Sequence, residues 1–134
     1  MNEELLKELR EYFSKREDIA FAFLFGSAAR GNLRKEGDVD VGIYFWPEKG
    51  IEWENVKKRY EGENRIALDL ERLLRKEVDL IDLNRAKAVL ADEIVRKGQP
   101  LIIKGRGLFL DFLCIISDVA EYVREWLNVS SKER

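Results

Sequence analysis

The chain has 134 residues, 24 Lys plus Arg against 26 Asp plus Glu for a net charge of −2, and no histidine; that is enough chain for one domain over residues 1–134, with no room for a second core. Without histidine there is no Ser-His-Asp or Cys-His catalysis and no His-bearing zinc site, so acid–base work falls to carboxylates, Lys or Tyr. The lone cysteine, Cys114, excludes an intrachain disulfide and a Cys zinc cluster, and points to a reducing, cytoplasmic setting.

Residues 2–16 read as a helix, with Leu5, Leu6, Leu9, Tyr12 and Phe13 at helical spacing and charges opposite. Ile19 to Phe25 is a continuous apolar run, the mark of a strand buried on both faces, and it stops at Gly26-Ser27. A polar, basic loop follows over 32–37. Val39 to Phe45 alternates as a second strand, closed by Pro47. Residues 51–60 and 64–76 read as helices, the second with a stripe of Ile66, Leu70, Leu73 and Leu74. Val78 to Leu83 is a third strand. Ala86 to Arg96 is a helix closed by Gly98 and Pro100, and Leu101 to Ile103 is a short strand. Gly107 to Asn128 is a long final helix. This order predicts an α/β or α+β domain: a small mixed sheet flanked by helices.

No apolar run is long enough for a membrane span, and the acidic, amphipathic start is unlike a signal peptide. Near-neutral charge argues against a dedicated nucleic-acid-binding protein. Charged residues make up 37% of the chain, against a usual figure of about 25%, which with a single Gln resembles a thermophile's composition.

The chemistry concentrates in Phe25-Gly26-Ser27-Ala28-Ala29-Arg30-Gly31 and Gly37-Asp38-Val39-Asp40-Val41. A buried strand that breaks at Gly-Ser into a short helix leaves backbone N–H groups free for an anion. Gly26 lets a phosphate approach closely, and the Ser27 hydroxyl adds a donor. Asp38 and Asp40, two apart at the start of a strand, face one side, while Val39, Val41, Ile43 and Phe45 face the core. Paired carboxylates repel unless a cation intervenes, and Mg²⁺ prefers one or two carboxylates plus substrate phosphates. Asp79, near the start of the Val78–Leu83 strand, is the best third carboxylate. Its alternative is a structural acid bonded to a loop. Asp82 falls on the opposite face and is expected to cap the helix beginning near Arg85.

Gly26-Ser27, ten residues, then Asp38-x-Asp40 resembles the DNA polymerase β-like nucleotidyltransferase superfamily, and GSAARG…GDVDV resembles its minimal, MntA-type antitoxin members. The resemblance spans about residues 19–103, and Val78-Asp79-Leu80-Ile81-Asp82-Leu83 matches the strand that carries the family's third acid. One departure is Gly37, where many members have Ser. The resemblance implies a nucleotidyltransferase fold, with Asp38, Asp40 and Asp79 as catalytic ligands of two Mg²⁺ ions. It also implies that Gly26, Ser27 and Arg30 bind the triphosphate of ATP. The implied reaction is transfer of AMP from ATP to a hydroxyl, with a tyrosine of a HepT-type toxin as acceptor. Transfer to a small molecule such as an aminoglycoside, or toxin binding without chemistry, are the other readings.

Gly26-x4-Gly31 lacks the lysine of a P-loop, since position 32 is Asn, and Gly42 stands where a calcium loop needs a ligand. The remaining structural alternative for the acids is a hairpin tip with solvated aspartates. Arg30, Arg34 and Lys35 could attract triphosphate, although loop charges usually serve solvation. Lys57, Lys58 and Arg59 read as a solvated face. Trp46 and Trp53 read as packing rather than base stacking, and Cys114 as an inert core thiol. The last helix is apolar on several sides over its first half, so it is expected to bury one face in the core and offer another to a toxin or a second copy.

Overall fold

A computed structural model describes residues 3–26 and 38–132, the side chains as far as residue 128. The described elements are α1 (Glu3–Ser14), β1 (Ile19–Phe25), β2 (Val39–Phe45), α2 (Gly62–Leu74), β3 (Val78–Asp82), α3 (Ala88–Lys97), β4 (Gln99–Ile103) and α4 (Arg106–Lys132). The strands form one sheet in the order β3-β2-β1-β4, with β1 antiparallel to β2 and β4, and β2 parallel to β3. The expected mixed α+β architecture is the one adopted. Among the described residues, no helix is long and apolar enough to cross a membrane.

The unbroken apolar run of β1 is explained by burial on both faces. On one side, Leu5, Leu6, Leu9 and Phe13 of α1 and Ile66 and Leu70 of α2 pack against Ala22, Leu24, Val39, Val41, Ile43 and Phe45. On the other, Ile94 and Val95 of α3 and Phe112 and Ile116 of α4 cover Phe21, Phe23 and Tyr44. Phe21 and Tyr44 stack at 4.5 Å with ring planes 6° apart. Gly42 keeps this side close: a Cβ there would come within 3.1 Å of the Ile94 side chain.

Polar groups lock the helices in place. Asp92 of α3 is wholly buried and accepts from Arg96 Nε at 2.8 Å, Ser117 Oγ at 2.9 Å and Arg124 Nη1 at 3.0 Å. The last two donors sit on α4, so a single carboxylate joins the two helices of this layer. Gly98 closes α3 as expected, its N–H donating to the Ile94 carbonyl. Pro100 instead lies inside β4, on the sheet's edge, where a missing donor is tolerated.

Three expectations need correction. Residues 51–60 form turns rather than a helix. Tertiary hydrogen bonds outcompete helical ones there: the Tyr44 hydroxyl donates to the Glu52 carbonyl at 2.8 Å and accepts from the Glu52 N–H at 3.0 Å. Tyr60 Oη and Asn84 Nδ2 both donate to Glu52 Oε1, and Glu54 adopts a positive φ of 48°. Asp82 caps no helix. Its Oδ1 accepts from the Asn84 N–H at 2.9 Å within a turn, and α3 begins later, at Ala88. Cys114 is exposed rather than buried, because α4 turns Phe112 and Ile116 inward. α4 itself buries Phe112, Ile116 and Ala120 on one face and exposes Leu110 and, further along, Tyr122, Trp126 and Leu127.

Candidate active site

The site begins where β1 ends. Phe25 is the antiparallel partner of Asp40, and the next residue, Gly26, turns away with φ +72°. A Cβ on Gly26 would lie 2.3 Å from Asp40 Oδ2 and 3.3 Å from its Cγ. Only glycine therefore allows the chain to turn there with its backbone against the carboxylate. Gly26 thus leaves the strand with a positive φ beside Asp40, and the rest of the expected Gly-Ser turn lies outside the described residues.

Asp79 enters through the β2–β3 ladder, whose parallel register sets Val39 opposite Val78, Asp40 opposite Asp79 and Val41 opposite Leu80. Residues directly opposite on neighbouring strands are about 4.8 Å apart and share a face. Packing agrees with that parity: Val78 and Leu80 join the α1–α2 core, whereas Ile81 joins the α3–α4 core. The register thus sets Asp79 beside Asp40 on one face of the sheet.

Asp38 immediately precedes β2 and is exposed, as is Asp79, while Asp40 is half-buried. Burial, followed by the negative charges of Asp79 and then Asp38, raises the Asp40 carboxyl above its ordinary range. Asp38, Asp40 and Asp79 thus bring like charges to one end of β2 and β3. Among the described residues, no group of three or more His, Cys, Asp or Glu side chains is arranged to hold a metal ion.

Ser27, Arg30, Arg34 and Lys35 lie outside the described residues, so Gly26 alone represents the expected phosphate-binding turn. Trp46 and Trp53 lie beyond the other end of β2 from Asp40. Trp46 packs over Gly105, where a Cβ would meet its ring at 2.7 Å, which supports packing over base stacking. Lys58 pairs with Glu48 at 2.7 Å on the surface. A depression of about 550 Å³ between Glu48 and Asn55 lies at that same far end and is lined by Glu48, Glu52 and Glu54, a poor host for triphosphate. The buried polar residues Asp92 and Asn84 were not singled out from the sequence. The available signal for Asp92 was an acid among Ala88, Ala91, Ile94 and Val95, the apolar positions of α3.

The family model for polymerase beta, nucleotidyltransferase, matches residues 7–106. The protein adenylyltransferase MntA of Shewanella oneidensis is 30% identical over 97 residues, which make up 72% of this chain and 61% of that protein. The chain therefore spans less than two-thirds of this relative's length. A chain of a toxin–antitoxin crystal structure with AMP-PNP matches with a TM-score of 0.71 at 20% identity, covering 99% of this chain and 98% of that one. A chain from the complex of tri-AMPylated Shewanella oneidensis HEPN toxin with MNT antitoxin matches with a TM-score of 0.66 at 17% identity, covering 96% and 97%. At these identities the structures speak for the fold. The family match runs through β1, β2 and β3 and includes Gly26, Asp38, Asp40 and Asp79, so this chain belongs to the polymerase beta nucleotidyltransferase family.

Proposed function

We propose that this chain is an Mg²⁺-dependent nucleotidyltransferase that moves AMP from ATP to a hydroxyl on a partner protein, a tyrosine of a HepT-type toxin. The observation that carries the reading is the register of Asp40 with Asp79, with Gly26 set against Asp40. The relative named protein adenylyltransferase MntA, and the AMP-PNP and AMPylated-toxin complexes among the structural matches, support the choice of ATP and of a protein acceptor.

In the proposed reaction the acceptor oxygen bonds to the α-phosphorus, the bond from that phosphorus to the β-bridging oxygen breaks, and pyrophosphate leaves. Asp38, Asp40 and Asp79 would hold the ions. When bound, Mg²⁺ lowers the pKa of an attacking hydroxyl and neutralises charge on the leaving group. The chain's own part is mostly positioning and exclusion. Gly26, with its backbone set against Asp40, begins the segment that would receive the polyphosphate. Asp79, exposed on the outermost strand, lies on the side from which an acceptor enters and serves its hydroxyl as ligand or proton acceptor. The partner's body is assigned to the exposed Tyr122, Trp126 and Leu127 of α4, a surface that a second copy of the chain would also cover.

The test is incubation with α-labelled ATP, Mg²⁺ and a HepT-type toxin. Label is expected on the toxin with wild type and not with Asp40→Asn. Turnover of small hydroxyl compounds with no labelled protein would replace protein transfer with small-molecule transfer. Full toxin neutralisation by Asp38→Asn/Asp40→Asn would leave only the binding reading.

A further inference from the structure

The sheet has two outer edges, and they differ. β4 carries Pro100, which blunts its edge, whereas β3 (Val78-Asp79-Leu80-Ile81-Asp82) has no proline and no lysine. In the β2–β3 ladder, the Val39 N–H donates to the Glu77 carbonyl and the Leu83 N–H to the Ile43 carbonyl. Odd-numbered residues of β3 therefore aim their backbone groups at β2, and Val78, Leu80 and Asp82 aim theirs outward. The outward Val78 N–H meets Glu71 Oε2 at 3.4 Å, and the Asp82 carbonyl accepts from Arg85 and Ala86. Among the described residues, the Leu80 N–H and C=O, the Val78 C=O and the Asp82 N–H have no such partner. They form a short open edge centred one residue from Asp79.

We infer that an extended segment of the acceptor protein adds to the sheet along β3, pairing with the Leu80 backbone and setting its hydroxyl-bearing residue opposite Asp79. The parity of the strand carries the argument. A residue opposite Asp79 on an added strand lies about 4.8 Å away and puts its side chain on the face shared by Asp40 and Asp79. A segment slipped by one residue turns that side chain to the other face, which α1 and α2 occupy. Backbone pairing thus selects which residue of a flexible segment is presented, with little demand on the sequence around it.

The inference rests on the protein-acceptor reading, and the experiment separates the two. Amide exchange is followed by NMR on the ¹⁵N-labelled chain, alone and with a HepT-type toxin. The Leu80 amide is expected to exchange quickly in the free chain and about 100-fold more slowly in the complex. In parallel, label transfer from ATP to the toxin is compared between Leu80→Ala and Leu80→Pro. Both lose the leucine packing, but only the second loses the outward N–H. Transfer by Leu80→Pro should be at least about ten-fold slower than by Leu80→Ala. An unprotected Leu80 amide in the complex, or equal rates from two variants that melt alike, overturns edge pairing while leaving protein transfer intact. Should Leu80→Pro fail to fold, the amide exchange decides. A wild-type chain that labels no protein overturns both readings.

Discussion

The Asp40 carboxylate occupies the space that a side chain on Gly26 would need, with Oδ2 2.3 Å from the position of a Cβ there. The left-handed turn and the acid are therefore one construction. Gly26→Ala should strain the backbone by about 1–2 kcal/mol and displace Asp40 as well. Label transfer is expected to fall far more than stability, by about 100-fold or more against a loss of a few degrees in Tm. Transfer assays and thermal melts on the same preparation check this, and near-normal transfer would show that the turn does not position the acid.

Asp38, Asp40 and Asp79 repel one another when no cation is present. Mg²⁺ with a non-hydrolysable ATP analogue should raise the Tm of wild type but not of Asp38→Asn/Asp40→Asn, since binding to the folded state alone stabilises it. Asp79→Asn should reduce transfer by at least about 100-fold while leaving a measurable nucleotide-induced shift. If it transfers normally, Asp79 is a bystander on the edge strand.

Asp82 is a buried carboxyl with one oxygen bonded to the Asn84 N–H at 2.9 Å and the other without a donor. Burial above all, with the Glu63 carboxylate adding to it against the Asn84 N–H and the Arg85 charge, pushes it up to about 6. Its value is thus higher folded than unfolded, so the native state binds more protons between the two. The stability this brings is full below about pH 4 and is lost as pH rises through about 6. Asp82→Asn keeps an oxygen for the Asn84 bond and removes the charge. Urea unfolding should show it stabilised at pH 8, by up to about 3 kcal/mol, and little changed at pH 4. Absence of any gain at pH 8 would mean that the folded protein tolerates the ionised form.

Asp92 behaves in the opposite sense. Burial alone would raise its carboxyl, but the hydrogen bonds from Arg96, Ser117 and Arg124 outweigh burial and hold it below its ordinary range. Its stabilisation is present above about pH 4 and is lost as pH falls through the native value. Asp92→Ala should cost about 2–4 kcal/mol at pH 7, with the deficit shrinking in acid. Arg124→Ala added to it should cost little more, because the two changes remove one shared contact.

Much of this fold was written locally. The seven apolar residues of β1 required burial on both faces, and two helical layers supply it. The alternation in β2 placed Val39, Val41, Ile43 and Phe45 in the core. Residues 51–60 carried helical periodicity too, yet Tyr44, Tyr60 and Asn84 draw Glu52 into a web of long-range bonds, and the helix does not form. Cys114 read as buried because its neighbours are apolar, but helix rotation follows Phe112, Ile116 and Ala120, which fit the sheet.

For the site, the sequence by itself determined the ingredients: no histidine, a glycine at the end of a buried strand and two acids in strand alternation. Those depend on residue type and on spacing over a few positions, where backbone geometry leaves little choice. Only the tertiary structure decided that Asp79 lies beside Asp40, because strand order and register arise from packing between residues far apart in the chain. The Val39–Val78 alignment brings Asp79 to Asp40, and a shift of one residue would have turned it to the other face. The same strand order left β3 on the outside, with the third acid on an open edge.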